Sequence, residues 1–321
     1  MASTNNYIKS VKQLRREVSQ LTLEQMKQLT KVYDSAVESL LDKGSKAKSN
    51  SLTRKQAVEL RKELKIVSAE LQKNIDNIVV QGVEKAAEKT IKNQMDLIEK
   101  TANKAKMTVS KSYNTLHARV QHNIVNDIIK GNLYKDNKSI SSRIWRYGKE
   151  FEKDIQYVIN QALLEQKSAI ELAKDLEKYV KPAAKRGSDW GKAYPGLRSK
   201  KVDYNAMRLA RTSINHAYQT ATIQTSQENP FITGIEWRSA NEHGRTCQLC
   251  RDRDGVIYNK DEVPLDHPNG LCTMLPVMEK SMDEIADELK AWVNGEENNV
   301  LDEYLDRELA VLGILSPIHK G

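Results

Sequence analysis

The chain has 321 residues, of which 39% are apolar, 29% charged and 6% aromatic, with a formal net charge of +8. That length suffices for two or three domains with cores of their own, while the lean aromatic content argues for an elongated, helix-rich protein over one compact globule. Three cysteines cannot build a secreted disulfide framework, the N-terminal MASTNNYIKSVKQLRREV lacks the apolar core of a signal peptide, and no stretch approaches the roughly 20 apolar residues of a membrane span. The expectation is a soluble product of a reducing cytoplasm, without a membrane partner.

Charge is distributed unevenly. Residues 1–225 hold 42 Lys+Arg against 24 Asp+Glu, and residues 226–321 hold 9 against 19. A basic body of this kind suits nucleic acid and an acidic end suits a different partner. A lysine-rich helical surface with no such role accounts for the same count, because the lysines are scattered and lack interleaved aromatics.

No proline precedes Pro182, and only Gly44 and Gly82 interrupt the first 130 residues, so long helices are expected. Ile8, Val11, Leu14, Val18 and Leu21 recur at steps of three or four. Thr22 and Gln25 form a T-x-x-Q box that is expected to restart a helix through Met26, Leu29, Val37 and Leu40. A second box, Thr53 with Gln56, opens the stripe Ala57, Leu60, Leu64, Val67, Leu71, Ile75 and Ile78. One apolar stripe of this kind serves either an intramolecular helical hairpin or a coiled-coil arm for another protein, with the hairpin preferred.

Shorter helices follow Gly131: one through Ile144, Trp145 and Phe151 to Leu164, and one capped by Ser168 with Glu171. After the loop KPAAKRGSDWGKAYPGLRSK, the residues Ala206, Ala210, Ile214, Ala217 and Ala221 set a small-residue face for close helix packing. From Phe231 the texture becomes short strand and turn. Ile232, Ile235 and Trp237 mark one strand, Asp254-Gly255 a tight turn, and Val256 to Tyr258 a second strand.

All three cysteines fall in this region, in the order Cys247-x-x-Cys250, sixteen residues, His267, four residues, Cys272. A C-x-x-C turn grips one ion from a single loop, and His267 with Cys272 completes a tetrahedron from a second loop, the pattern of a structural zinc site. Four protein ligands leave no open position for water, so the Zn2+ is expected to stabilise a small fold that buries little apolar surface. Three rivals stand beside this reading: plain buried cysteines, a Cys247/Cys250 redox pair, and a zinc-containing nuclease in which His243 or His267 activates water near Asp252, Asp254 or Asp266.

Trp237, Arg245-Thr-Cys247-Gln-Leu-Cys250, Asp254-Gly255, Pro264, His267-Pro-Asn-Gly-Leu-Cys272-Thr and Pro276 resemble the C-terminal signature of bacteriophage minor head proteins, the phage Mu F-like head morphogenesis family. Ser141 to Trp145, the stretch QKSAIELAKDL from Gln166, and Leu209-Ala-Arg211-Thr212 resemble its middle segment, so the resemblance covers about residues 131–280. Two positions depart from the family pattern: Ser213 stands where a glutamate is common, and Gly270 where a cysteine is common. Arg211 and Arg245 are read as structural clamps on nearby carboxylates.

The resemblance implies a low-copy structural component of the phage head, inside the virion near the portal vertex. It would act in head morphogenesis and in DNA packaging or ejection, with the portal protein, other capsid or scaffolding proteins and packaged double-stranded DNA as partners. A nuclease or other DNA-processing enzyme is the alternative. The expected architecture is mainly α: a long-helix region over 1–130, a helical middle domain over 131–230, a small zinc-binding β/turn module over 231–280 and an acidic helical tail over 281–321.

Overall fold

A computed structural model describes residues 2–45, 53–107, 111–168, 171–172, 174–176, 202–240 and 246–311. It is mainly helical, with one small sheet. The elements are α1 (Ala2–Ser45), α2 (Arg54–Lys104), α3 (Lys111–Lys130), α4 (Ile140–Leu164), α5 (Val202–Gln227), β1 (Gly234–Arg238), α6 (Gln248–Arg253), β2 (Ile257–Tyr258), β3 (Thr273–Val277), α7 (Met282–Val293) and α8 (Asn299–Val311). Among the described residues no helix is long and apolar enough to cross a membrane.

The second T-x-x-Q box behaves as expected. Thr53 N–H donates to Gln56 Oε1 at 2.8 Å and Gln56 N–H donates to Thr53 Oγ1 at 3.3 Å, directly before α2. The Ser168 and Glu171 box closes in the same way, at 2.8 and 3.3 Å. The first box does not. Helix α1 runs unbroken from Ala2 to Ser45, and Thr22 and Gln25 are buried inside it. The apolar stripe carries on at the same spacing through Leu29, Tyr33, Val37 and Leu40, so keeping one helix buries both halves without a second nucleation cost.

Two compact units share these helices, and neither is a continuous stretch of chain. Unit 1 comprises Met1–Gln20, Glu84–Asn126 and Asn215–Gly321; unit 2 comprises Leu21–Val83 and Asp127–Ile214. In unit 1, Ser10 Oγ accepts from Asn93 Nδ2 at 2.8 Å, and Glu17 pairs with Lys89 at 3.4 Å. In unit 2, a cleft lies between residues 31–39 of α1 and 67–74 of α2. Residue numbers rise along α1 as they fall along α2, so the two helices form an antiparallel hairpin, the preferred of the two readings of the single stripe.

The core of unit 2 holds Leu40, Leu64, Leu71, Ile75, Ile144 and Phe151, all at most 1% exposed, with Tyr33 meeting Phe151 edge-on at 6.2 Å. Trp145 is off this stripe and 58% exposed. The expected small-residue face on α5 is present: Ala206, Ala210, Ile214, Ala217 and Ala221 are fully buried. Arg211 departs from its expected clamp. Its Nη2 meets the Met26 sulfur at 3.3 Å, and among the described residues no carboxylate pairs with it. Arg245 and the loop from Lys181 to Lys200 lie outside the described residues.

In unit 1 the sheet has the order β2-β1-β3, all antiparallel. Strands β1 and β2 follow the sequence pattern. Strand β3 does not announce itself, since Pro276 sits within it opposite Ile235. An edge strand tolerates a proline because the missing N–H sits on a strand with only one ladder to fill. The acidic tail folds as α7 and α8. Ser281 caps α7 through a complete capping box with Glu284, and Lys104 of α2 meets Asp283 at 2.5 Å.

Candidate metal centre

The cysteine region is assembled by the turn between β1 and β2 and by the loop entering β3. Cys247 is the N-cap of the short helix α6, so Cys250 lies on its first turn, below Cys247. The T-shaped ring pair of Trp237 and Tyr258, with centroids 6.5 Å apart, backs the cluster. Trp237, Cys250, Cys272, Ile235 and Met274 form one buried core.

Cys247 Sγ and Cys250 Sγ lie 3.3 and 3.2 Å from His267 Nε2. Tetrahedral zinc with sulfur and nitrogen ligands needs ligand atoms about 3.5 Å apart, so this edge is within a few tenths of an ångström of that geometry. His267 Nδ1 donates to the Pro268 carbonyl at 3.0 Å, which leaves the Nε2 lone pair for the cluster. Cys272 joins through Cys250. Among the described residues the potential ligand atoms form two overlapping triads, Cys247 with Cys250 and His267, and Cys250 with Asp266 and Cys272. All four expected ligands are therefore gathered around Cys250, and the three cysteines form no disulfide.

Thiol electrostatics differ along the cluster. Hydrogen bonds from Cys250 draw the exposed Cys247 thiol below its ordinary pKa, with a smaller contribution from His267. Burial pushes the Cys250 thiol up, and its thiol neighbours Cys272 and Cys247 push the same way. Cys272 is also raised, by burial and by the charge of Asp266. His267 is raised through its bond to the Pro268 carbonyl and by Asp266. Crowded buried thiols resist ionisation until a cation compensates them, which is the donor chemistry of a zinc site.

Residues that the spacing pattern did not reveal hold the loop. The Asp266 carboxylate, whose side chain is 0% exposed, accepts from His267 N–H at 2.8 Å and from Cys272 N–H at 3.0 Å. Helix α5 grips the same loop with two side chains one turn apart. His216 Nε2 donates to the Asp266 carbonyl at 3.0 Å, while Gln219 Oε1 accepts from Asp266 N–H at 3.0 Å and Gln219 Nε2 donates to the Cys272 carbonyl at 3.4 Å. Beneath them, Arg15 of α1 lies over the Tyr218 ring at 5.2 Å and donates to Asn215 Oδ1 at 2.9 Å. The residues of α5 and α1 stand 47 to 251 positions from Asp266, so no local spacing rule reaches them.

The carboxylates considered for a nuclease have other work. Asp254 Oδ1 accepts from Ser239 N–H at 2.7 Å, Asp252 accepts from Gln248 within α6, and Asp266 holds the loop backbone. His243 lies outside the described residues.

Residues 153–273 match the family model described as phage Mu protein F like protein. This segment is phage Mu F-like. The family is one of structural phage head proteins. The Mu F-like segment begins within α4 and ends at the first residue of β3, so it includes α5, β1, α6, β2 and every residue of the cysteine cluster. No curated protein and no solved structure matches the chain.

Proposed function

We propose that this chain is a minor capsid protein of a tailed bacteriophage, a low-copy structural component inside the virion near the portal. It acts in head morphogenesis and in DNA packaging or ejection, with the portal protein and other capsid or scaffolding proteins as partners. The observation that carries this reading is the coincidence of the Mu F-like segment with the whole cysteine cluster and the helix that grips it.

In this reading Cys247, Cys250, His267 and Cys272 hold one structural Zn2+. When bound, the ion supplies cross-linking of the two loops that a core of five buried residues does not secure alone. The chain's own contribution is orientation: Asp266, His216 and Gln219 fix the second loop, and the Pro268 carbonyl fixes the imidazole. A closed four-ligand set, with Asp254 and Asp266 committed to backbone N–H groups and Asp252 to the Gln248 side chain, supports a binding role over catalysis.

Quantitative mass spectrometry of purified heads, counting this chain against the portal and major capsid proteins, tests the reading. A few copies per particle are expected. Absence from particles, together with divalent-metal-dependent DNA cleavage by the isolated protein, would overturn it in favour of an enzyme.

A further inference from the structure

Unit 2 has a groove between α2 and the start of α4 that encloses about 840 Å3. Beside it α2 and α4 pack closely: Ser68 of α2 donates to the Gly148 carbonyl at 3.1 Å, and a side chain at Gly148 would collide with Gln72, which lines the groove. Its lip carries Trp145, an indole that the core does not use. In α4 the inward stripe is Ile140, Ile144, Tyr147, Phe151 and Ile155, and Trp145 falls outside it at 58% exposed.

Four cations line the groove, Lys73, Lys138, Arg143 and Arg146, against one acid, Asp76. Arg143 is engaged, meeting Asp136 at 2.5 Å and lying over the Tyr134 ring at 5.0 Å. Asp76 accepts from Ser141 Oγ at 2.8 Å. Lys73, Lys138 and Arg146 are exposed and make no ion pair among the described residues. Arg146 lies over the Tyr147 ring at 5.5 Å with its charge unpaired by any described carboxylate, and these three cations around an exposed indole match the two halves of a nucleotide, an anionic backbone and a flat π face.

We infer that this groove binds single-stranded nucleic acid, with Trp145 stacking on an unpaired base and Lys73, Lys138 and Arg146 holding the flanking phosphates. A duplex keeps its base faces inside the stack, so it satisfies the lysines and leaves the indole without a partner. An acidic protein segment would likewise meet the cations alone. The inference stands on this groove and is independent of the cysteine cluster.

The test is fluorescence polarisation of the full chain with a labelled oligothymidine, a duplex of the same length, and labelled polyglutamate. The variants are Trp145→Ala, the groove triple Lys73→Glu/Lys138→Glu/Arg146→Glu, and a control triple of exposed residues on α1, Lys9→Glu/Lys12→Glu/Arg16→Glu. All seven positions are exposed, and far-ultraviolet circular dichroism confirms that each variant is folded. Oligothymidine is expected to bind more tightly than the duplex. Trp145→Ala should weaken it about 5- to 150-fold. The groove triple should flatten the salt dependence by a slope of about 2, the share of three phosphate contacts. An unchanged affinity in Trp145→Ala, or equal losses in the groove and control triples, would overturn the inference. Preference for polyglutamate would assign the groove to an acidic protein segment instead.

Discussion

The Asp266 carboxylate occupies the space that a β-carbon on Gly270 would need. The same carboxylate ties down the backbone N–H groups of His267 and Cys272, so the absence of a side chain at Gly270 is a condition of the loop that presents both expected ligands. This gives a physical reason for one departure from the family pattern: with Asp266 in this position, a cysteine at 270 does not fit.

Gly270→Ala should therefore displace the carboxylate and loosen both N–H contacts, each worth about 1.5–3 kcal/mol for a charged acceptor. Asp266→Ala should cost a similar amount. The double variant should cost clearly less than the sum, because the collision is gone once the carboxylate is removed. Thermal melts of the four proteins check this, and additive losses would mean that the two residues do not share the space.

Cysteine substitutions should rank by their place in the cluster. Cys250 belongs to both triads, so Cys250→Ser should abolish zinc binding, whereas Cys247→Ser and Cys272→Ser should lower affinity and release zinc at weaker chelator. Far-ultraviolet circular dichroism should change little, because the long helices carry the signal. Metal stoichiometry by plasma mass spectrometry decides it, and one retained zinc per chain in Cys250→Ser would remove Cys250 from the ligand set.

Acid sensitivity should trace in part to His216. Burial lowers the pKa of its imidazole, against the smaller opposing pull of the Asp266 carbonyl and charge. The unfolded chain takes up a proton near pH 6.5 and the folded chain resists it, so the unfolded state gains the extra proton as pH falls. Stability is thus complete above about pH 6.5 and declines below it. In His216→Gln, urea midpoints measured from pH 7.5 to 5 should fall less steeply than in the parent, and parallel curves would count against the assignment.

Two aromatic residues on α4 should respond to very different degrees. Phe151 is fully buried against Tyr33, and Phe151→Ala should cost about 3–5 kcal/mol. Trp145, exposed on the same helix, should change stability by about 0.5 kcal/mol or less when replaced by phenylalanine. Urea denaturation compares the two directly.

A smaller effect is expected at the start of α7. Ser281 Oγ accepts from Glu284 N–H at 3.3 Å and Ser281 N–H donates to the Glu284 carboxylate at 2.6 Å. Ser281→Ala should cost about 0.5–2 kcal/mol, with Ser281→Asp restoring most of it. Hydrogen exchange at the first turn of α7 is the measurement.

Local rules carried the sequence reading where the governing interactions are local. The three-and-four spacing of Val11, Leu14 and Val18, or of Leu60, Leu64 and Val67, determines which helix face is buried whatever it packs against. The boxes at Thr53 and Ser168 close within four residues, and the C-x-x-C turn brings Cys247 and Cys250 together through one helical turn. Position in the fold decided the rest. Thr22 and Gln25 carry the same box chemistry as Thr53 and Gln56, yet they are interior to α1 because the packed stripe on either side outweighs one cap. Strand β3 exists because β1 offers an edge, which overrides the proline within it. The grip of His216, Gln219 and Asp266 on the loop that carries His267 and Cys272, and the exposure of Trp145 beside Lys73, depend on which helices meet. Those contacts join residues tens of positions apart, so the pairing that creates them is a property of the folded chain, whereas helix faces and ligand spacing are already properties of the sequence.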